Sequence, residues 1–102
     1  MFNKGNRYIT SGIQNEIPLE IQQFIWNCID VLKDQGKVLD YLQVFEITKE
    51  RIADVLVQKI EHTQEIPKYK MTYKVFFTEM VDDRIFVIDD KEYSIMMLSK
   101  EY

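Results

Sequence analysis

The sequence predicts an α+β domain: one antiparallel sheet of about five to six strands packed on one long amphipathic helix at 18–35. Three observations carry this. A single stretch has helical spacing, with Ile21, Phe24, Ile25, Cys28, Ile29 and Leu32 recurring at steps of three and four. Most of the remaining chain is made of short runs rich in β-branched and aromatic residues, bounded by turn residues. One of these runs, Arg84-Ile-Phe-Val-Ile88, is apolar on both of its faces, as a central strand covered on both sides would be.

The chain opens on a polar lead, and Arg7–Ile13 has the content of a first strand. Gly12 within it suits a bend or a close backbone approach. Gln14–Glu16 reads as a turn. Proline restricts the residue before it to extended geometry, so Ile17 is a natural boundary, and Pro18 suits the first helical position. At about 100° per residue the stripe faces one way, with Trp26 and Val31 at its edges. Glu20, Gln23, Asn27, Asp30 and Asp34 fill the opposite side. Gly36 ends the helix because it tolerates the left-handed conformation, and Lys33 suits the last turn. A charge at the centre of the stripe, Ile25→Asp, is expected to unfold the protein.

Asp40–Thr48 is the second strand, with Tyr41, Gln43, Phe45 and Ile47 on one face and Leu42, Val44, Glu46 and Thr48 on the other. Residues 49–60 fit two patterns. Thr48 could cap a second short helix near 49–56, with Ile52, Val55, Leu56 and Ile60 as its stripe; Val55–Ile60 also reads as strand. The expectation is a helical or turn segment over 49–54, then a strand over 56–65 that Ile66-Pro67 ends. Tyr69–Phe77 is a strand with Tyr69, Met71, Tyr73, Val75 and Phe77 on one face. Thr78–Asp83 is a loop. Arg84–Ile88 and Glu92–Leu98 flank Asp89-Asp90-Lys91, a hairpin signal. Ser99–Tyr102 is a polar tail.

The length, 102 residues, is that of one domain spanning 1–102. Hydrophobic residues make up 46%, too many for a disordered chain. Seventeen acidic against thirteen basic residues give a net charge of −4, which offers no general attraction for nucleic acid or anionic lipid. No run reaches the ~18 apolar residues of a spanning helix, and the start lacks a signal-peptide pattern. A cytoplasmic protein with no membrane association is expected. One helix cannot cover both faces of a sheet, so a second shield is required. The segment at 49–60, the N-terminal strand or another subunit could supply it, the last by homodimerisation through the sheet.

The order of several stretches is similar to that of a family. They are Arg7-Tyr-Ile-Thr-Ser-Gly-Ile, Ile17-Pro-Leu-Glu-Ile-Gln-Gln-Phe-Ile-Trp, Leu39-Asp-Tyr-Leu-Gln-Val-Phe-Glu, His62-Thr-Gln-Glu-Ile-Pro-Lys-Tyr-Lys and Ile85-Phe-Val-Ile-Asp-Asp-Lys-Glu-Tyr-Ser-Ile-Met-Met-Leu. Together they resemble the uncharacterised staphylococcal-type domain of unknown function 960, from Gram-positive bacteria and their mobile elements. The resemblance implies an extended conformation around His62, and a phage or mobile-element setting, but no activity. Two features depart from the pattern: Lys91 stands where a turn glycine is expected, and residues 49–58 differ from the usual connection.

Chemistry-bearing residues are sparse. His62, the only histidine, lies between Glu61 and Glu65; it could serve as a general base or one metal ligand, against the simpler role of a polar strand residue. A zinc site needs three or four ligands, and Cys28, the one residue that could add sulfur, sits on the apolar stripe as a small hydrophobe. Asp82-Asp83 and Asp89-Asp90 are paired carboxylates, but adjacent turn aspartates usually bond to their own backbone or to water. The glycines at 5, 12 and 36 are isolated, so no phosphate loop exists, and Ser11, Ser94 and Ser99 lack a nucleophile-elbow context. Lys68, Lys70 and Lys74, interleaved with Tyr69 and Tyr73, are the best nucleic-acid hint, yet alternation separates the tyrosines from Lys70 and Lys74.

No residue is therefore assigned as catalytic, cofactor-binding or metal-binding, and no cofactor is expected. The reading is a small non-catalytic accessory factor that binds a macromolecule, with an unidentified protein as partner. A single-stranded nucleic-acid binder using the Lys68–Lys74 strand is the alternative, and an enzyme with a His62-centred site is the second.

Overall fold

A computed structural model describes residues 1–102. The elements, in order, are β1 (Arg7–Ile9), α1 (Ser11–Glu16), α2 (Leu19–Asp34), β2 (Leu42–Ile52), β3 (Val55–Gln64), β4 (Tyr69–Val75), β5 (Asp83–Asp89) and β6 (Ser94–Leu98), with a 3-10 turn at Ser99–Glu101. They form the expected α+β fold, one six-stranded sheet in the order β1-β6-β5-β2-β3-β4.

α2 forms where the apolar stripe lies. Ile21, Ile25, Cys28, Ile29 and Leu32 are buried, and Phe24 packs at the margin against Tyr73 and Phe77. Gly36, at φ +73°, ends the helix as its composition requires. The Lys37 N–H donates to the Leu32 carbonyl and the Gly36 N–H to the Lys33 carbonyl, a Schellman closure. Pro18 stands just outside the helix, and its carbonyl accepts from the Ile21 and Gln22 N–H groups.

β5 is central and apolar on both faces. Ile85 and Val87 meet the helix layer; Phe86 and Ile88 lie on the far side. The core gathers the inward rows of β2, β3, β5 and β6, among them Phe45, Ile47, Ile60, Met96 and Leu98. Phe2, Ile13 and Ile17 join it from the N-terminal segment.

Three expectations are corrected. The first strand stops at Ile9, and residues 11–16 form α1, taking in Gly12, Ile13 and the stretch read as a turn. The Thr10 hydroxyl accepts the Ile13 N–H at 3.3 Å, so this residue starts a helix where its β-branching suggested a strand. Second, the sheet is mixed: β1 runs parallel to β6, with Tyr8 opposite Ile95. Two intervening helices and four strands separate the pair, ample for a crossover. Third, no helix forms near 49–56. β2 runs on to Ile52 and β3 starts at Val55. Ala53 and Asp54 both have positive φ, 48° and 67°, which is the two-residue hairpin turn whose twist matches paired strands. The usual Asn-Gly signature of that turn is missing, so the sequence concealed it.

Lys91 has φ 61° at the β5–β6 turn. The backbone there takes the left-handed conformation that glycine adopts freely, which is why the family resemblance calls for one. Gly12 does permit a close approach, though in a helix. A Cβ added to it would lie 2.6 Å from the Glu101 carboxylate. That carboxylate accepts from the Thr10 hydroxyl at 2.7 Å, the Leu98 N–H at 2.8 Å and the Gly12 N–H at 3.3 Å. These bonds hold Glu101 below the usual carboxylate range. The polar tail is thus a clasp between the two ends of the chain.

Candidate functional site

The inward face of β2 and β3 carries polar residues where apolar ones would be expected. Gln43, His62 and Gln64 sit at the same parity as Phe45, Ile47 and Ile60, and all three are buried. Their bonding follows from groups that can act only one way. Gln64 Nε2 donates to the carbonyls of Val38 and Pro67, at 3.1 and 2.8 Å, so its Oε1 faces Gln43 and accepts from Nε2 at 2.7 Å. Gln43 Nε2 also donates to the Asp40 carbonyl at 2.9 Å. Gln43 Oε1 is left to accept, and it lies 2.6 Å from His62 Nε2. His62 therefore carries its proton on Nε2, and Nδ1 is a buried lone pair without a partner.

His62 has no exposed surface and stacks on Phe45, ring centroids 4.1 Å apart, with Tyr69 edge-on at 5.3 Å. Burial lowers its pKa from 6.5 to about 4. Strand alternation sends Glu61 to the other face, where it pairs with Lys70 at 3.7 Å, and Glu65 is exposed. None of the four cavities in the molecule is lined by His62. The acid and the pocket required for a His62-centred site do not come together with the imidazole. The residue is a core histidine, deeper than the polar strand position expected from the sequence.

The other candidates are similarly placed. Cys28 is buried beside Tyr73; burial pushes the thiol from 9.0 up to about 11, and its hydrogen bond with Tyr73 pulls the other way. Burial also raises the Tyr73 hydroxyl. Asp89 accepts the Phe2 N–H at 2.9 Å through Oδ1, anchoring the N-terminal segment, and the Lys91 N–H at 3.4 Å through Oδ2. Asp82 accepts the Lys49 N–H at 2.6 Å, and Asp83 the Arg84 N–H at 2.8 Å. Asp90 bonds Tyr93 and raises its hydroxyl pKa. Three of the four aspartates thus hold backbone N–H groups, and Asp90 holds a neighbouring side chain. No three potential metal ligands converge. Lys70 and Lys74 point away from the helix and pair with Glu61 and Glu50, while Tyr69 and Tyr73 pack under the helix.

What remains is the sheet face opposite the helices. Its floor is aliphatic and aromatic: Leu42, Val44, Phe86, Ile88, Ile95 and Met97, each half-buried. The register sets Ile95, Ile88 and Leu42 in one row and Met97, Phe86 and Val44 in the next. Tyrosines rim this floor. Tyr8 and Tyr93 meet edge to face at 5.7 Å, Tyr102 stands against Phe86 at 5.5 Å, and Tyr41 borders a recess of about 180 Å³ that Leu42, Val44 and Arg84 also line. Their exposures, 56%, 40%, 74% and 52%, put all four among the exposed residues of the chain. Arg84 lies over Phe86 at 5.4 Å and pairs with Glu46 at 3.2 Å. Tyrosine, phenylalanine, methionine and arginine around an aliphatic centre is the composition of a protein-binding surface. The two-sided character of β5 pointed to this face; the rim was invisible because its tyrosines come from four separate segments.

Comparison with known proteins agrees with this architecture. A crystal structure of a protein of unknown function from Enterococcus faecalis superposes with a TM-score of 0.78 at 24% identity, over 99% of this chain and 94% of that one, which shows a shared fold. No curated protein matches the chain. The model of a family described as staphylococcal protein of unknown function, DUF960, matches residues 6–101, so nearly the whole chain belongs to that family.

Proposed function

We propose that this protein is a non-catalytic accessory factor that works in the cytoplasm by binding a protein partner through the tyrosine-rimmed sheet face. The observation that carries the reading is the face itself: a contiguous apolar floor that the fold's own helices leave bare, since both lie on the other side. The absence of a convergent reactive set adds support. The sole histidine and the sole cysteine are sealed in the core, and the paired carboxylates are engaged with backbone N–H groups or, for Asp90, with Tyr93. The Lys68–Lys74 strand offers nucleic acid little, because Lys70 and Lys74 are closed into ion pairs and its tyrosines face the helix. A phage or mobile-element setting comes from the family resemblance.

Affinity capture with two baits tests this. The wild-type chain is expected to retain a protein that an Ile95→Lys bait of equal melting temperature does not. Equal retention by both baits, recovery of RNA in its place, or no retention at all overturns the reading.

A further inference from the structure

We infer that Phe2 occupies a binding site for a free aromatic α-amino acid, phenylalanine, which takes this place by displacing the Met1–Phe2 segment. The site lies on the helix side of the sheet, apart from the tyrosine-rimmed face, and does not depend on the protein-binding reading.

The site is built on three strands. Arg7, Ser94 and Asp89 stand abreast on β1, β6 and β5, with Arg7 opposite Ser94 and Ser94 opposite Asp89. Arg7 pairs with Asp30 of α2, and Ser94 and Asp89 are buried, so this polar row interrupts the core. Phe2 is held against it. Its N–H donates to Asp89 Oδ1 at 2.9 Å. Its carbonyl accepts from Arg7 Nη2 at 2.8 Å and from Lys33 Nζ at 3.3 Å. Its ring has no exposed surface. Fixed elements therefore read the amino side, the carbonyl side and the side chain of one residue.

The charges fit a different occupant better. The Arg7 guanidinium is balanced by Asp30, but neither Asp89 nor Lys33 has an ion-pair partner in the chain. Asp89 is only 8% exposed. A nearly buried carboxylate and an ammonium thus flank a peptide unit that carries no charge, and a buried charge is costly unless paired. A free amino acid in the place of Phe2 supplies both countercharges. Its ammonium falls on Asp89 and its carboxylate on Lys33 and Arg7, each as a charge-assisted hydrogen bond. The ammonium also brings two further N–H donors, and the buried Ser94 hydroxyl, beside Asp89 in the row, has no partner.

The backbone favours exchange. Phe2 has φ 54°, in the left-handed region where a bulky side chain crowds the neighbouring carbonyl oxygens. A free amino acid has no preceding carbonyl, so the restriction does not apply to it. A recess of about 210 Å³ lined by Met1, Lys33, Lys37 and Leu39 lies alongside and opens a route to solvent.

The test is titration calorimetry of the full chain with L-phenylalanine. Phe2→Asp sets a carboxylate in the apolar socket beside Asp89 and releases the segment. Phe2→Gly, which removes only the ring, covers the case in which Phe2→Asp fails to fold. The released chain is expected to show one saturable site. Phenylalaninamide lacks the carboxylate and N-acetylphenylalanine the ammonium, and each should bind roughly 10-fold or more weakly, as loss of one charge-assisted pair implies. In the wild type the tethered segment competes at an effective concentration on the order of millimolar. L-phenylalanine should bind it more weakly, yet shift the Phe2 amide resonance as the ligand approaches its solubility limit. Released chains that bind no phenylalanine overturn the inference. So do neutralised analogues that bind as well as the parent, which marks a merely apolar cavity, and a wild-type Phe2 resonance that does not move.

Discussion

Acidification offers the sharpest test of how the core is built. His62 is neutral, fully buried and hydrogen-bonded through Nε2 to Gln43, and nothing near Nδ1 can accept a proton's hydrogen bond. Its pKa is about 4 in the fold against 6.5 for a free imidazole. Above pH 6.5 both the folded and the unfolded chain hold it neutral, and it makes no pH-dependent difference. As pH falls below 6.5 the unfolded chain takes up a proton that the fold refuses. Stability then declines by ~1.4 kcal/mol per pH unit, reaching a loss of about 3 kcal/mol near pH 4. That is a large share of the ~5–15 kcal/mol that holds a domain together. Urea unfolding followed by the fluorescence of Trp26, the sole tryptophan, measures the effect between pH 7.5 and 4. His62→Gln removes the titrating group, so its stability should lose about 3 kcal/mol less than wild type over the same range. Carboxylates such as Glu101 titrate in both proteins and cancel in the difference. Parallel curves for the two, or a folded-state imidazole that titrates near 6.5 by NMR, would refute the reasoning.

Further outcomes are expected. Lys91→Gly relieves a left-handed residue in the β5–β6 turn, and a gain of about 1 kcal/mol should appear as a higher urea midpoint with unchanged slope. Cys28 should resist a thiol reagent in the folded protein at pH 8 and react at the rate of global unfolding, because its thiolate is scarcely populated; fast modification without denaturant would contradict its burial. Ile25→Asp places a carboxylate at a position with no exposed surface and should abolish the cooperative melt seen by circular dichroism.

The helix was legible because its signal is redundant: six stripe residues agree, and Gly36 marks its end. The buried, two-faced strand β5 was legible for the same reason, and with it the uncovered face. Local ambiguity defeated the reading elsewhere. Thr10 and Ile13 suit strand and helix start alike, and a hydroxyl-to-N–H bond decides between them. Ala53-Asp54 makes a hairpin turn without the residues that advertise one. The Gln43–His62–Gln64 chain was the subtlest case. Each residue is at an inward position by simple alternation, but polar side chains there make sense only once the carbonyls of Val38, Asp40 and Pro67 are seen to converge on them.

The parallel pairing of β1 with β6 has a consequence for how the molecule is made. The first strand to leave the ribosome, Arg7–Ile9, finds its neighbour only when Ser94–Met96 has been synthesised. Glu101, which clasps Thr10 and Gly12, emerges later still. A growing polypeptide can collapse its long helix and the β2–β3 hairpin early, since those contacts are near in sequence. It cannot seal the margin of the layer until β6 has been made, so the sheet closes well after its own helix and central hairpin have formed.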